Sequence, residues 1–88
     1  MMASIENNPG SGAVRRRRIL VVDDHPLVRE WLTNLINQRP DFQICGETGN
    51  APEALRLIES IKPDIAIVDI SLASGSGIEL IKNIKAMH

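Results

Sequence analysis

The sequence predicts an α/β protein whose parallel sheet is built from three strand-and-helix units. From residue 18 onward, short apolar runs alternate with amphipathic stretches of helical spacing. Two of the runs, residues 19–22 and 65–68, are apolar on both faces, as strands covered by helices on both sides are. This alternation indicates a doubly wound sheet, in which ligand sites lie beyond the carboxyl ends of the strands.

The first half of the folded region carries clear start and stop signals. Pro26 follows the strand at residues 19–22 and suits the first turn of a helix, which Pro40 ends. Residues 42–46 alternate between apolar and other residues, as a strand at the edge of a sheet does.

The second half repeats the pattern. Asn50 is placed as the N-cap of a second helix, with Pro52 in its first turn. The strand at residues 65–68 runs directly into Asp69, and residues 78–84 have the apolar spacing of a third helix.

Residues 1–17 are predicted to be a disordered leader, because Ser, Asn, Pro and Gly replace any apolar period there. Residues 18–88 are the region that folds, and a core of this size supplies no more than about 3–5 kcal/mol. Cys45 is the single cysteine, so no disulfide within the chain adds to this stability. A lone cysteine also favours a reducing compartment such as the cytoplasm. The apolar runs are too short to span a bilayer, which predicts no membrane partner.

Charge is distributed unevenly along the chain. Residues 1–18 hold four arginines against one glutamate, whereas residues 19–88 hold six basic and ten acidic residues. The acidic body does not resemble a nucleic-acid-binding surface, and we expect no direct DNA binding by this segment. The arginine run is interpreted as a solvated flank.

Three acidic residues follow the two fully apolar strands. Asp23 and Asp24 come after the first, and Asp69 comes after the other. If these strands are neighbours, which lie about 4.8 Å apart, the carboxylates meet at one edge of the sheet and repel unless a cation neutralises them. Mg²⁺ suits such a site. The alternative is that all three are ordinary solvated residues of turns and helix starts, where Asp is common.

Five short motifs between residues 18 and 88 occur together in this chain. They are Val22-Asp23-Asp24-His25-Pro26-Leu27-Val28-Arg29-Glu30, Gly46-Glu47, Lys62-Pro63-Asp64, Ile67-Val68-Asp69-Ile70-Ser71-Leu72 and Gly77-Ile78-Glu79-Leu80. With these motifs, residues 18–88 closely resemble a bacterial response-regulator receiver domain, most of all the NarL/FixJ class.

This resemblance implies a phosphoacceptor that is not a turnover enzyme. It implies that Asp69 receives a phosphoryl group from a sensor histidine kinase, from a phosphotransfer protein or from a small acyl phosphate. Asp24 would be a direct Mg²⁺ ligand, Asp23 a ligand through water, and the backbone carbonyl of Ser71 a further ligand. Members of this class usually carry a C-terminal DNA-binding domain, so the output is expected to be transcription.

The chain also departs from the family pattern. Ala73 stands where a proline is usual. A complete receiver has a flavodoxin-like fold with five strands, whereas this chain matches the first three strand-and-helix units, with expected strand order 2-1-3. No residue matches the Ser/Thr and Lys that the fourth and fifth strands supply. We therefore expect this chain to be phosphorylated slowly or not at all. We also expect the strand at residues 65–68 to have a bare edge that favours self-association.

Two alternatives come from other functional classes. One is a truncated or inactive receiver that acts only as a protein-interaction module. The other is a small flavodoxin-like enzyme or nucleotide binder, which the lack of a glycine-rich phosphate loop and of aromatics beyond Trp31 and Phe42 disfavours.

Overall fold

The structure, a computed structural model, describes residues 2–6, 16–70 and 77–87. The elements within these residues are β1 (Met2–Glu6), β2 (Arg17–Val22), α1 (Pro26–Asn37), β3 (Phe42–Thr48), α2 (Ala51–Ile61), β4 (Ile65–Asp69) and α3 (Gly77–Met87).

The strands form one sheet in the order β1-β4-β2-β3. β2 pairs in parallel with both β3 and β4, and β3 lies at one edge. Counted among the three parallel strands alone, this is the predicted order 2-1-3, so the doubly wound, flavodoxin-like arrangement is confirmed. The prediction that residues 42–46 belong to an edge strand is confirmed as well, since β3 lies at one end of the strand order.

The two faces of the sheet are covered differently. On one face α2 and α3 pack over a core made of Leu20, Val22, Ala54, Ile58, Ala66, Val68, Leu80 and Ile84. Ile19 and Val21 point to the opposite face because side chains alternate along a strand, and α1 packs against β2 and β3 there. Both residues are nearly completely buried. The central strand β2 is therefore covered on both sides, as its sequence predicts.

The residues predicted to begin the first two helices do so in the structure. Pro26 occupies the first turn of α1, which ends at Asn37, just before Pro40. The side chain of Asn50 accepts a hydrogen bond of 2.9 Å from the backbone N–H of Glu53, which is the predicted N-cap of α2. α2 ends at Ile61, and the φ of 53° at its C-cap, Lys62, lies in the left-handed region that usually favours glycine.

The disordered leader predicted for residues 1–17 differs from the structure at both ends. Met2–Glu6 form β1, which pairs antiparallel with β4 in a register that runs from Met2↔Asp69 to Glu6↔Ile65. Arg17 belongs to β2. Residues 7–15 lie outside the described part of the chain. The apolar pattern gave no sign of β1 because strand pairing uses backbone N–H and C=O groups, which every non-proline residue carries.

The same strand corrects the prediction of a bare sheet edge. β1 covers the outer edge of β4, so β4 is an interior strand and not the exposed edge expected from the sequence. Self-association through an exposed β4 edge therefore loses its structural basis. An edge strand is a template for any extended segment, and here the chain supplies that segment itself.

Arg18 is not part of a solvated flank. Its guanidinium Nη1 donates to the carbonyl oxygens of Ile61 at 2.7 Å and Lys62 at 3.1 Å, at the C-terminal end of α2. Its backbone N–H donates to Asp64 Oδ2 at 2.8 Å, and the backbone N–H of Asp64 donates to the Arg18 carbonyl at 2.8 Å. A cation at this position satisfies helix carbonyls that have no partner within the helix.

Candidate functional site

The three predicted carboxylates meet at the carboxyl ends of the parallel strands. Asp23 directly follows β2, Asp24 is the next residue, and Asp69 is the last residue of β4. One donor atom from each of these residues and one from His25 lie within 4.8 Å of one another. The sequence analysis predicted the acidic members of this group, and the structure brings them together.

The acidic group is buried to an unusual degree for carboxylates. Asp23 is 1% exposed and Asp69 is 4% exposed. Asp23 Oδ1 accepts a hydrogen bond of 2.8 Å from the backbone N–H of His25, whereas Asp23 Oδ2 is buried without a hydrogen-bond partner. A buried carboxylate oxygen without a partner is costly. A divalent cation at this point would satisfy that oxygen, so the donor set fits Mg²⁺.

The imidazole of His25 lies against all three carboxylates. Its Nδ1 is 2.8 Å from Asp23 Oδ1, 3.1 Å from Asp24 Oδ1 and 3.3 Å from Asp69 Oδ2. The hydrogen bond to Asp23 and the nearby charge of Asp24 raise the pKa of His25 above its ordinary value of 6.5. The sequence analysis named His25 only as part of a motif, and the contact of its ring with the acidic group is a finding of the structure.

Arg29 positions the main chain of the site. Its Nη1 donates to the Asp23 carbonyl at 2.7 Å, and its Nε donates to Glu47 at 3.3 Å. The backbone N–H of Asp23 in turn donates to the Thr48 carbonyl at 2.9 Å, which ties the residue to the end of β3. Arg29 thus links α1 and β3 to the residue that carries the unpaired oxygen. Sequence reasoning treated it only as part of a motif.

Gly77, at the start of α3, lies very close to the end of β4. A Cβ placed on it would be 2.2 Å from Ile70 Cα and 2.4 Å from the Asp69 carbonyl oxygen. Its N–H donates to the Ile70 carbonyl at 3.2 Å. Glycine is required here because the helix approaches the backbone of the acidic strand end directly. Ser71, whose carbonyl was predicted to be a further metal ligand, lies outside the described residues.

An open cavity of about 380 Å³ lies away from this group, lined by Arg17, Asp41, Phe42 and Ile65. All four of these residues begin or directly precede a strand, so the cavity is at the amino ends of the sheet, opposite the carboxylates. Ligand sites of doubly wound sheets lie at the carboxyl ends. The acidic group is therefore the better candidate for chemistry.

Comparison with known proteins places this geometry in a family. The family described as "Response regulator receiver domain" matches residues 19–88. The transcriptional regulatory protein YdfI of Bacillus subtilis is 42% identical over 71 residues, which cover 81% of this chain and 33% of that protein. A protein-glutamate methylesterase/protein-glutamine glutaminase of Vibrio vulnificus is 31% identical over 74 residues, covering 84% of this chain and 21% of that protein.

A solved structure gives the same result. The crystal structure of a LuxR-family two-component response regulator from Aurantimonas sp. SI85-9A1 superposes with a TM-score of 0.77 at 40% identity, covering 82% of this chain and 51% of that one. Across the described residues, no helix has the length and apolarity needed to cross a bilayer.

The chain spans about a third or less of the curated relatives it matches. Those relatives bear names of different kinds, a transcriptional regulator and a methylesterase, so the part they share with this chain is the receiver. The family matches residues 19–88, the parallel strands have the order expected of it, and the acidic group lies at their carboxyl ends. The chain therefore belongs to the receiver-domain family of two-component response regulators.

Proposed function

We propose that this chain is the phosphoacceptor part of a response regulator and that Asp69 receives the phosphoryl group. The observation that carries the proposal is the convergence of three carboxylates, two of them buried, of which Asp23 has an oxygen without a hydrogen-bond partner. The partner we propose is a sensor histidine kinase or a phosphotransfer protein.

The chemistry follows from the arrangement. An oxygen of Asp69 attacks phosphorus in line with the leaving group, the bond from phosphorus to the donor's histidine nitrogen breaks, and an acyl phosphate forms on Asp69. A Mg²⁺ ion bound in the site would neutralise charge on the phosphoryl oxygens. Asp23, Asp24 and Asp69, together with the carbonyl of Ser71, are proposed to hold that ion, and Asp23 and Asp24 transfer no proton.

Positioning is the contribution of the surrounding fold. Arg29 and Thr48 fix the backbone of Asp23, and the close approach of Gly77 fixes the end of β4. A carboxylate is a weak nucleophile, so the rate depends on in-line geometry and on charge neutralisation. We propose that the output lies in another region of the protein and is transcriptional, as the name of the YdfI relative suggests for that protein.

The test is the intact mass of the 88-residue protein after long incubation with phosphoramidate and Mg²⁺. We expect one phosphoryl group, labile to hydroxylamine, that is absent in Asp69→Asn. Asp41→Asn is the matched control, because Asp41 is 59% exposed and lies at the opposite end of the sheet. A phosphoryl group that persists in Asp69→Asn would place the acceptor elsewhere.

A second candidate function is an interaction module that does not use phosphoryl transfer. The observation that favours it is the apolar surface of α1, where Leu27 is 80% exposed, Trp31 is 62% exposed and Leu35 is 47% exposed. Apolar side chains exposed together on one helix face are typical of contact surfaces. Mg²⁺ binding seen by calorimetry, together with no phosphoryl adduct on Asp69 in the intact-mass measurement, would favour this candidate.

A further inference from the structure

The position of His25 has a consequence for the choice of metal ion. Its Nδ1 is 2.8, 3.1 and 3.3 Å from one oxygen each of Asp23, Asp24 and Asp69. An octahedral ion with bonds of about 2.0–2.1 Å holds neighbouring donor atoms about 2.9 Å apart. The nitrogen therefore stands at the spacing of a fourth donor atom beside the three carboxylates.

The unpaired oxygen of Asp23 is the second observation that points to an ion. Asp23 is 1% exposed, and its Oδ2 has no hydrogen-bond partner, although Oδ1 accepts from the backbone N–H of His25 and lies 2.8 Å from Nδ1 of the ring. The backbone of His25 is held from two sides: its N–H donates to Asp23 Oδ1, and its carbonyl accepts the first hydrogen bond of α1, from the backbone N–H of Arg29. The side chain is 59% exposed, so an ion can enter beside it.

We propose that His25 Nδ1 is a metal ligand of this site, which makes the donor set mixed nitrogen and oxygen and shifts its preference from Mg²⁺ toward transition-metal dications such as Ni²⁺. Imidazole suits Ni²⁺, Co²⁺ and Zn²⁺, whereas Mg²⁺ takes oxygen ligands. This inference rests on the proposed metal site and adds to it a residue that decides which ion binds.

The experiment compares the dissociation constants of Ni²⁺ and Mg²⁺ by calorimetry at one mildly alkaline pH, because a metal binds the neutral form of imidazole. For His25→Ala we expect Ni²⁺ binding to weaken at least about tenfold, the lower end of what the loss of a supporting group costs a metal site. Mg²⁺ binding should stay unchanged or tighten. His88→Ala is the control for binding to the other imidazole and should change neither constant.

A direct readout detects the ligand atom itself on the unmutated chain. When Nδ1 binds paramagnetic Ni²⁺, the proton on Nε2 gives an exchangeable NMR signal far outside the diamagnetic range. This signal should vanish in His25→Asn and persist in His88→Ala. Its persistence in His25→Asn would overturn the inference.

Two outcomes separate this inference from the proposed function. If His25→Ala tightens Ni²⁺ and Mg²⁺ by the same factor, the ring is only an ion-pair partner of the carboxylates, and the inference is wrong while the metal site stands. If the unmutated chain binds neither ion, or Asp24→Asn binds both as well as the unmutated chain does, the metal site itself is wrong and the inference falls with it.

Discussion

Replacing Gly77 with alanine should destabilise the protein by about 2–3 kcal/mol. The added Cβ would lie 2.2 Å from Ile70 Cα, 2.4 Å from the Asp69 carbonyl oxygen and 2.8 Å from the Ile70 carbonyl carbon. Non-bonded carbon atoms are comfortable at about 3.5–4.0 Å, so α3 must shift by more than about 1 Å. The obstructing atoms are backbone, and no change of rotamer relieves the contact.

The magnitude combines two costs. Overpacking of this kind costs about 1–3 kcal/mol. The displaced helix start also loses the hydrogen bond from the Gly77 N–H to the Ile70 carbonyl, which is 3.2 Å long, and such a bond contributes about 0.5–1.5 kcal/mol. Alanine recovers little through helix propensity because position 77 is the first residue of α3.

The assay is urea unfolding followed by far-UV circular dichroism, with sucrose present to keep the variant folded. Gly46→Ala is the matched control: its Cβ would meet only side-chain ends, Leu20 Cδ1 at 3.3 Å and Ile61 Cδ1 at 3.4 Å. We expect that control to cost less than about 1 kcal/mol, since flexible side chains can move by a few tenths of an ångström. Equal stabilities of the two variants would refute the close approach of α3 to the end of β4.

Three further predictions concern single side chains. Arg18→Met should lower the free energy of unfolding by about 1.5 kcal/mol, because hydrogen bonds from a charged donor to the α2 carbonyls are lost. Urea unfolding measures this change, and an unchanged stability would show that Arg18 is a solvated residue. The hydrogen bond to Asp23 raises the pKa of His25 in the folded protein. Protonated His25 therefore stabilises the fold fully at a pH below the pKa of His25 in the unfolded chain, and this stabilisation is lost as the pH rises through the pKa of His25 in the folded protein. NMR titration of the ring should accordingly give a midpoint above 6.5 that falls in Asp23→Asn. Burial raises the pKa of Cys45, so its thiol should react with a disulfide reagent more slowly in the folded chain than in urea, and equal rates would contradict this.

The sequence was sufficient for the features that depend on local pattern. The apolar strands, the N-cap at Asn50 and the helix start at Pro26 are each determined by a few neighbouring residues, and all three are as predicted. The meeting of Asp23 with Asp69 was predictable as well, because parallel neighbours bring their carboxyl ends to one edge.

Features that depend on contacts between distant residues were not predicted. β1 pairs with β4 through backbone groups, which leave no mark in the residue pattern. Arg18 is bound to carbonyls at the far end of α2, a partnership that exists only once the sheet is assembled. The contact between the His25 ring and the carboxylates depends on the direction of the side chain, which the spacing of residues along the chain does not show.

The pairing of β1 with β4 also affects the order in which the sheet forms. Two strands and two helices separate β1 from β4 along the chain, so the ribosome makes β1 before the strand it joins. Closing a loop of this length costs entropy that only a preformed partner edge can offset. The three parallel strands can therefore assemble first and accept β1 last. During that interval, the edge of β4 beside Asp69 is open to any other extended segment.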